Sequence, residues 1–224
     1  MKFLTNVDIS NFYSSFVNLD KQDYDIIIQE FQDNRELVEL LQIRRKIELQ
    51  NIYLQALFHL GKYGTFLREV DQTIEEVIRY NLKNIQGDNI FESLLFKKAS
   101  ALFHSGFVDD AKYVATELVK INPFDTLHQA LLTKITYKKN EGIFQHIKLL
   151  CIALVIVSAG IYGANLLVVE PLKGTYNQSL FDIAFITLNI GVLVYVIGEL
   201  SFYALAVVST RRKIFKYKKK KLSQ

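Results

Sequence analysis

Residues 149–169 read LLCIALVIVSAGIYGANLLVV, 21 residues without a formal charge. At about 1.5 Å of rise per residue they make roughly 31 Å of helix, the thickness of a bilayer's hydrocarbon core. A short polar stretch follows, with Glu170, Pro171, Lys173, Gly174, Asn177, Gln178 and Asp182. Residues 183–208, IAFITLNIGVLVYVIGELSFYALAVV, form a second apolar run of 26, interrupted by Glu199 and a few small or neutral polar side chains. Two such runs joined by a tight loop predict a two-helix transmembrane hairpin over residues 149–209. A buried helix pair in a soluble core is the competing reading, and two adjacent runs of this length favour lipid.

The charges divide around the hairpin. Residues 1–148 carry 18 Lys and Arg against 20 Asp and Glu, and residues 149–224 carry 9 against 3, so the overall +4 belongs to the C-terminal end. There Arg211, Arg212, Lys213, Lys216, Lys218, Lys219, Lys220 and Lys221 follow the second run directly. A cluster so placed is a stop-transfer and orientation signal, and it suits anionic lipid headgroups better than nucleic acid. The approach to the first run holds Lys134, Lys138, Lys139 and Lys148, and the loop holds only Lys173. Both flanks are more basic than the loop, so both termini are expected in the cytoplasm. The opening MKFLTNVDISNFY has one Lys and no apolar core of signal-peptide length, so residues 1–140 are expected to stay on the cytoplasmic side. Cys151 is the one cysteine and lies in the first run, which excludes an intramolecular disulfide. Frequent Lys, Ile, Asn and Phe without Trp point to an AT-rich genome, hence to a bacterial inner membrane.

Upstream, residues 1–140 show apolar spacings of three and four and almost no alternation, which predicts an all-helical domain. Seven helices are expected: one from Asp8 through Phe16, one after Asp20 or Asp23 carrying Ile26, Ile27, Ile28 and Phe31, and a long third from an Asn34 cap to Gly61. A fourth covers residues 65–80, with Phe66, Val70, Ile74, Val77 and Ile78 inward. After a connector over 81–89 come helices over 90–104, 108–121 and 125–138, the last with Leu127, Leu131, Leu132 and Ile135 on one side. Asn140, Glu141 and Gly142 are expected to break the chain, leaving 141–148 as a linker before the hairpin and 210–224 as a basic tail.

This domain repeats. Ala56, Leu57, Phe58, His59, Leu60 and Gly61 recur as Ala101, Leu102, Phe103, His104, Ser105 and Gly106, five matches of six at a separation of 45. Each copy ends a helix at glycine and opens another one turn later, a repeated helix-turn-helix unit. The second copy resembles a tetratricopeptide repeat: Leu95, Ala99 and Leu102 fall on its first helix, Ala111, Ala115 and Leu118 on its second, and Pro123 where the unit ends. Lys98 stands at a normally apolar position. In the first copy Gly61 and Tyr63 fit the turn, but Phe66 and Val70 replace the small pair. The separation also exceeds the family's usual spacing of about 34. The resemblance covers roughly residues 47–123 and implies a helical-repeat array whose last helix closes it.

It also implies a concave groove for a protein partner, lined by Asn51, Gln55, Phe58 and His59 with Phe96, Ser100, Phe103 and His104. The family's lysine and asparagine grip on a C-terminal carboxylate is absent. Beyond this, His59, His104, His128 and His146 form no metal-ligand pair, and neither a phosphate loop nor a nucleophile motif occurs. Glu75, Glu76, Asp109 and Asp110 read as solvent-facing or helix-starting carboxylates. No catalytic residue, metal or cofactor is expected. In the membrane part the costly residue is Glu199, expected roughly 15 Å inside its span with Ser158 as its nearest partner on the other helix. Asn165 and Asn189 are placed to bond across the hairpin, and Ser158, Ala159, Gly160, Gly163, Ala164, Gly191 and Gly198 to let the helices approach. The expected function is a membrane-anchored scaffold or adaptor that holds a protein partner at the inner surface. The alternative is an oligomeric effector or channel subunit whose hairpins self-associate around Glu199.

Overall fold

The computed structural model describes residues 6–82, 84–85, 87–164, 166–167 and 178–223, and over these the chain is all-helical apart from one two-residue ladder. The helices are α1 (Asn6–Val17), α2 (Tyr24–Asp33), α3 (Arg35–Leu40), α4 (Ile43–His59), α5 (Tyr63–Arg79), α6 (Ile90–His104), α7 (Val108–Ile121), α8 (Thr126–Ala164) and α9 (Gln178–Leu222). Packing divides the chain into Met1–Ile135 and Thr136–Gln224, a division five residues before the expected domain end at 140.

In the first unit each helix packs on its sequence neighbour: α4 on α5, α5 on α6, α6 on α7, with α1 and α2 laid against α4. Phe16, Phe31, Ile47, Leu54, Leu57, Phe66 and Leu94 fill the core, and Phe31 stacks on Tyr53 at 4.1 Å. Gly61 and Gly106 both take φ near +70° to +85°, the left-handed region open to glycine, and end α4 and α6 at equivalent places in the repeat.

Several expectations are corrected. The long third helix is two, broken where Leu41 turns extended and is buried. Asn34 precedes the first of them, α3, without capping it through its side chain: its Nδ2 donates to the Glu30 carbonyl and carboxylate at 3.0 Å. Ile26, Ile78 and Leu127 are exposed rather than inward, because each lies just off the buried stripe of its helix. The connector holds a small antiparallel ladder, β1 (Asn84–Ile85) with β2 (Asp88–Asn89), paired Asn84 to Asn89 and Ile85 to Asp88. Residues 140–142 do not break the chain and 141–148 is not an extended linker, for α8 runs helical through both. One glycine costs a helix only about 1 kcal/mol, and Gly142 does not interrupt this one.

In the second unit α8 and α9 run antiparallel. Ser158 Oγ donates to the Ala184 carbonyl at 2.6 Å. A side chain at Gly191 would meet Leu154 Cβ at 3.4 Å and the Cys151 carbonyl at 3.8 Å. Tyr162 meets Phe181 at 5.9 Å, and Tyr137 meets Phe202 at 6.3 Å and Tyr203 at 6.1 Å. Gly160 and Gly163, expected at this interface, have open space around them. Phe181–Leu222 is long and apolar enough to cross a membrane, and the apolar helix Lys148–Ala164 is shorter. The basic tail is not separate from the second apolar run: Arg211 to Lys221 continue α9 as helix.

Candidate functional site

The four groove residues expected from the first repeat are split by the helix they share. Successive turns of α4 carry Asn51, Gln55 and His59 along one side, and these line a cleft of about 380 Å³. Phe58 turns the other way and packs at 5.8 Å from Phe66 and 5.6 Å from Tyr63, so it belongs to the core margin. The opposite wall comes from the α1–α2 loop and the start of α2, with Lys21, Gln22 and Tyr24, and α6 adds Ile90 and Ser93. Tyr24 stacks flat on His59, ring centroids 4.9 Å apart and planes within 6°.

The cleft is amide-rich, with Gln22, Asn51 and Gln55 around an apolar floor that includes Ile27, Ile52 and Ala56. Asn51 Oδ1 is buried with no hydrogen-bond partner, an unused acceptor at the cleft wall. Glu48 at the rim accepts from Tyr13 Oη at 2.7 Å, and Arg45 lies 4.9 Å from the centre of that ring. Burial, reinforced by the Glu48 carboxylate, raises the Tyr13 phenol above its ordinary range.

In the second repeat the expected residues do not face a shared cleft. Ser100 is buried, Phe96 lies 6.0 Å from His128 on α8, and Lys134 on α8 sits 5.3 Å above the Phe103 ring. The first turns of α8 thus occupy the side that the resemblance left for a partner. His104 stacks on Tyr63 at 5.2 Å, as His59 does on Tyr24. In both copies a tyrosine opening one helix lies flat on the histidine ending its neighbour. Sequence reasoning missed Tyr24, Gln22 and Lys21, because nothing local brings the α1–α2 loop beside α4. Lys98, the departure from the repeat pattern, pairs with Asp71 on α5.

The residues expected within the membrane also separate. Asn189 Nδ2 donates to the Phe185 carbonyl of its own helix at 2.7 Å and does not bond across the hairpin. Asn165 lies outside the described residues. Glu199 is half-buried and shares a side-chain hydrogen bond with Tyr195 one turn earlier on α9. Ser158 is not its partner. That hydroxyl is used at Ala184, 15 residues or roughly 22 Å of helix from Glu199. Between the Gly191–Cys151 and Phe202–Tyr137 contacts, α9 runs beside the part of α8 that carries Lys138, Lys139, His146 and Lys148. Glu199 is therefore level with the polar part of α8, which also carries Glu141, and not with its apolar run.

The tail cations lie on the continuous helix, and all but the half-buried Lys218 are exposed. Among the described residues no three His, Cys, Asp or Glu side chains gather at metal-binding distance. No protein-family model, curated protein or solved structure matches the chain.

Proposed function

We propose that this chain is a membrane-anchored adaptor whose helical repeats hold an extended peptide of a protein partner at the cytoplasmic face. The observation that carries the reading is the cleft along α4, where three residues named from the repeat converge with Tyr24, Gln22 and Ser93. Carboxamides give and receive the hydrogen bonds of a peptide backbone, and an apolar floor takes one side chain. The helical-repeat reading rests on two helix-turn-helix pairs, α4–α5 and α6–α7, each turning at a left-handed glycine. A photoreactive residue at Gln55, activated in cells before the membranes are dissolved, is expected to link one foreign polypeptide. Replacing Asn51 and Gln55 together by alanine should cut capture about tenfold, equivalent to about 1.4 kcal/mol, and leave the melting temperature nearly unchanged. Adducts between copies alone would instead favour the oligomeric effector.

The anchor in this reading is a two-span hairpin with both ends inside. Its support is the long apolar α9 and the shorter apolar end of α8, joined through residues 165–177. A cysteine at Thr175 is expected to react with an impermeant reagent on intact cells, and one at Ser223 is not. The reverse labelling would remove the cytoplasmic adaptor.

A further inference from the structure

The cleft along α4 continues beyond the Tyr24–His59 stack. Gln22 and Tyr24, which help to form it, also border a second hollow of about 130 Å³. The other walls of that hollow are Asp23, Asp25, Ile26 and Leu60. Ile26 is 50% exposed and Leu60 37%. Ile26 lies off the stripe of α2 that Ile27, Ile28 and Phe31 bury, and Leu60 stands at the C-cap of α4. One exposed apolar side chain is ordinary on a folded surface. Two that border one hollow, beside a cleft, form a shelf for an apolar group.

Charge sets what else the shelf accepts. Asp23 holds the N-cap position of α2, where an aspartate ordinarily accepts from the helix's first amides. Its side chain makes no such bond, because its backbone, at φ −84° and ψ 65°, is outside the extended geometry of a cap. Asp25 meets Lys62 at 3.3 Å, yet its side chain is 80% exposed. Asp20, by contrast, is engaged by the Gln22 amide at 2.9 Å. The shelf is thus edged by two carboxylates against one lysine. Lys21 lines the cleft and not the second hollow, so the acidic edge belongs to the shelf.

Spacing joins the shelf to the cleft. Ala56 on the cleft floor and Leu60 on the shelf are four residues apart, about 6 Å along the helix. Side chains on one side of an extended peptide are two residues apart, about 6.6 Å. A peptide that seats one apolar side chain on the floor therefore brings its next same-side residue to Ile26 and Leu60. We infer that cleft and shelf together read an extended peptide with two apolar residues separated by one, and a lysine or arginine next to the second. The cation meets Asp23 and Asp25 while its apolar stem lies along Ile26. The inference rests on the peptide-binding reading above and adds the partner's sequence class to it.

The full chain in detergent is incubated with a synthetic library of short N-acetylated peptides of random sequence, and the retained peptides are sequenced. The wild-type chain is expected to enrich the apolar pair, with lysine or arginine beside its second member enriched about threefold, the scale of an exposed ion pair. Asp23→Lys and Asp25→Lys together should keep the apolar pair and transfer the preference to aspartate or glutamate. The neutral pair Asp23→Asn and Asp25→Asn, which disturbs the start of α2 less, should abolish the preference. Absence of the apolar pair, absence of a charge preference, or a cation preference that survives both double variants overturns the inference and leaves a peptide-binding cleft. Retention no greater than that of a chain carrying Asn51→Ala and Gln55→Ala removes the cleft reading and the inference together.

Discussion

Replacing Lys46 by methionine is expected to lower the unfolding free energy of the helical domain by about 3 kcal/mol. Lys46 is 8% exposed, and its Nζ donates to Glu39 at 2.7 Å and to Glu76 at 2.9 Å, tying α3, α4 and α5 together. Methionine keeps the apolar stem and removes the charge. The Glu39 side chain is 52% exposed and regains water, whereas Glu76 is 14% exposed and its Oε2 is already buried without a partner. The loss is therefore mainly the stranding of Glu76. Burial alone would lower the lysine's pKa. The hydrogen bonds and charges of Glu39 and Glu76 outweigh it, and the net pKa lies above the ordinary 10.5. A pKa raised by folding contributes stability that is complete below the unfolded value and lost as pH rises through the folded one. The difference between the wild-type chain and Lys46→Met should thus hold through neutral pH and shrink only above about pH 10.5. Urea unfolding in detergent, followed by tyrosine fluorescence, measures both. A difference below about 1 kcal/mol at pH 7 would class Lys46 with ordinary surface lysines.

Phe66→Ala is expected to cost about 3–5 kcal/mol in the same assay, the range for removing a large aromatic from a packed core. Phe66 is fully buried, with its ring set edge-on to Phe58 at 5.8 Å. The repeat relates Phe66 and Val70 on α5 to Ala111 and Ala115 on α7, and all four are fully buried. Where the alanines stand, α6 and α7 share the most extensive helix contact of the domain. The first repeat fills the corresponding space with the side chains of Phe66 and Val70. Emptying it leaves a cavity that α4 and α5, held by Ile47, Leu54 and Val70, cannot close without shifting. A loss near 1 kcal/mol would show that they do close it.

What the sequence shows of this fold follows from how local each determinant is. Helices over 90–104 and 108–121 are legible to the residue, because Asn89 accepts from the Glu92 amide at the start of one and Gly106 and Pro123 punctuate the other. The break at Leu41 carries no glycine or proline. It is imposed by burial of Leu41 and by the Lys46 pairings, which join residues up to 30 apart. The cleft is half legible: Asn51, Gln55 and His59 follow from periodicity on one helix, while Tyr24 needs the packing of α2 on α4. Phe103 and Ser100 mislead because their side of the second repeat is taken by the start of α8, whose Leu131, Leu132 and Ile135 are buried. For Glu199 the missing information is register: which residues of α8 lie level with it, and that Ser158 does not, is set only by the contacts between the helices.

The pairing of each helix with its predecessor, from α4 to α7, also bears on how the chain assembles as it is made. Contacts close in sequence require short loop closures, and domains built from them fold in microseconds to milliseconds. Translation adds only about 5–20 residues per second, so each helix pair has time to form before the next emerges. The first unit contains its own core, and none of it waits for the apolar helices that follow in the chain. The helical domain is therefore folded before the apolar helices leave the ribosome.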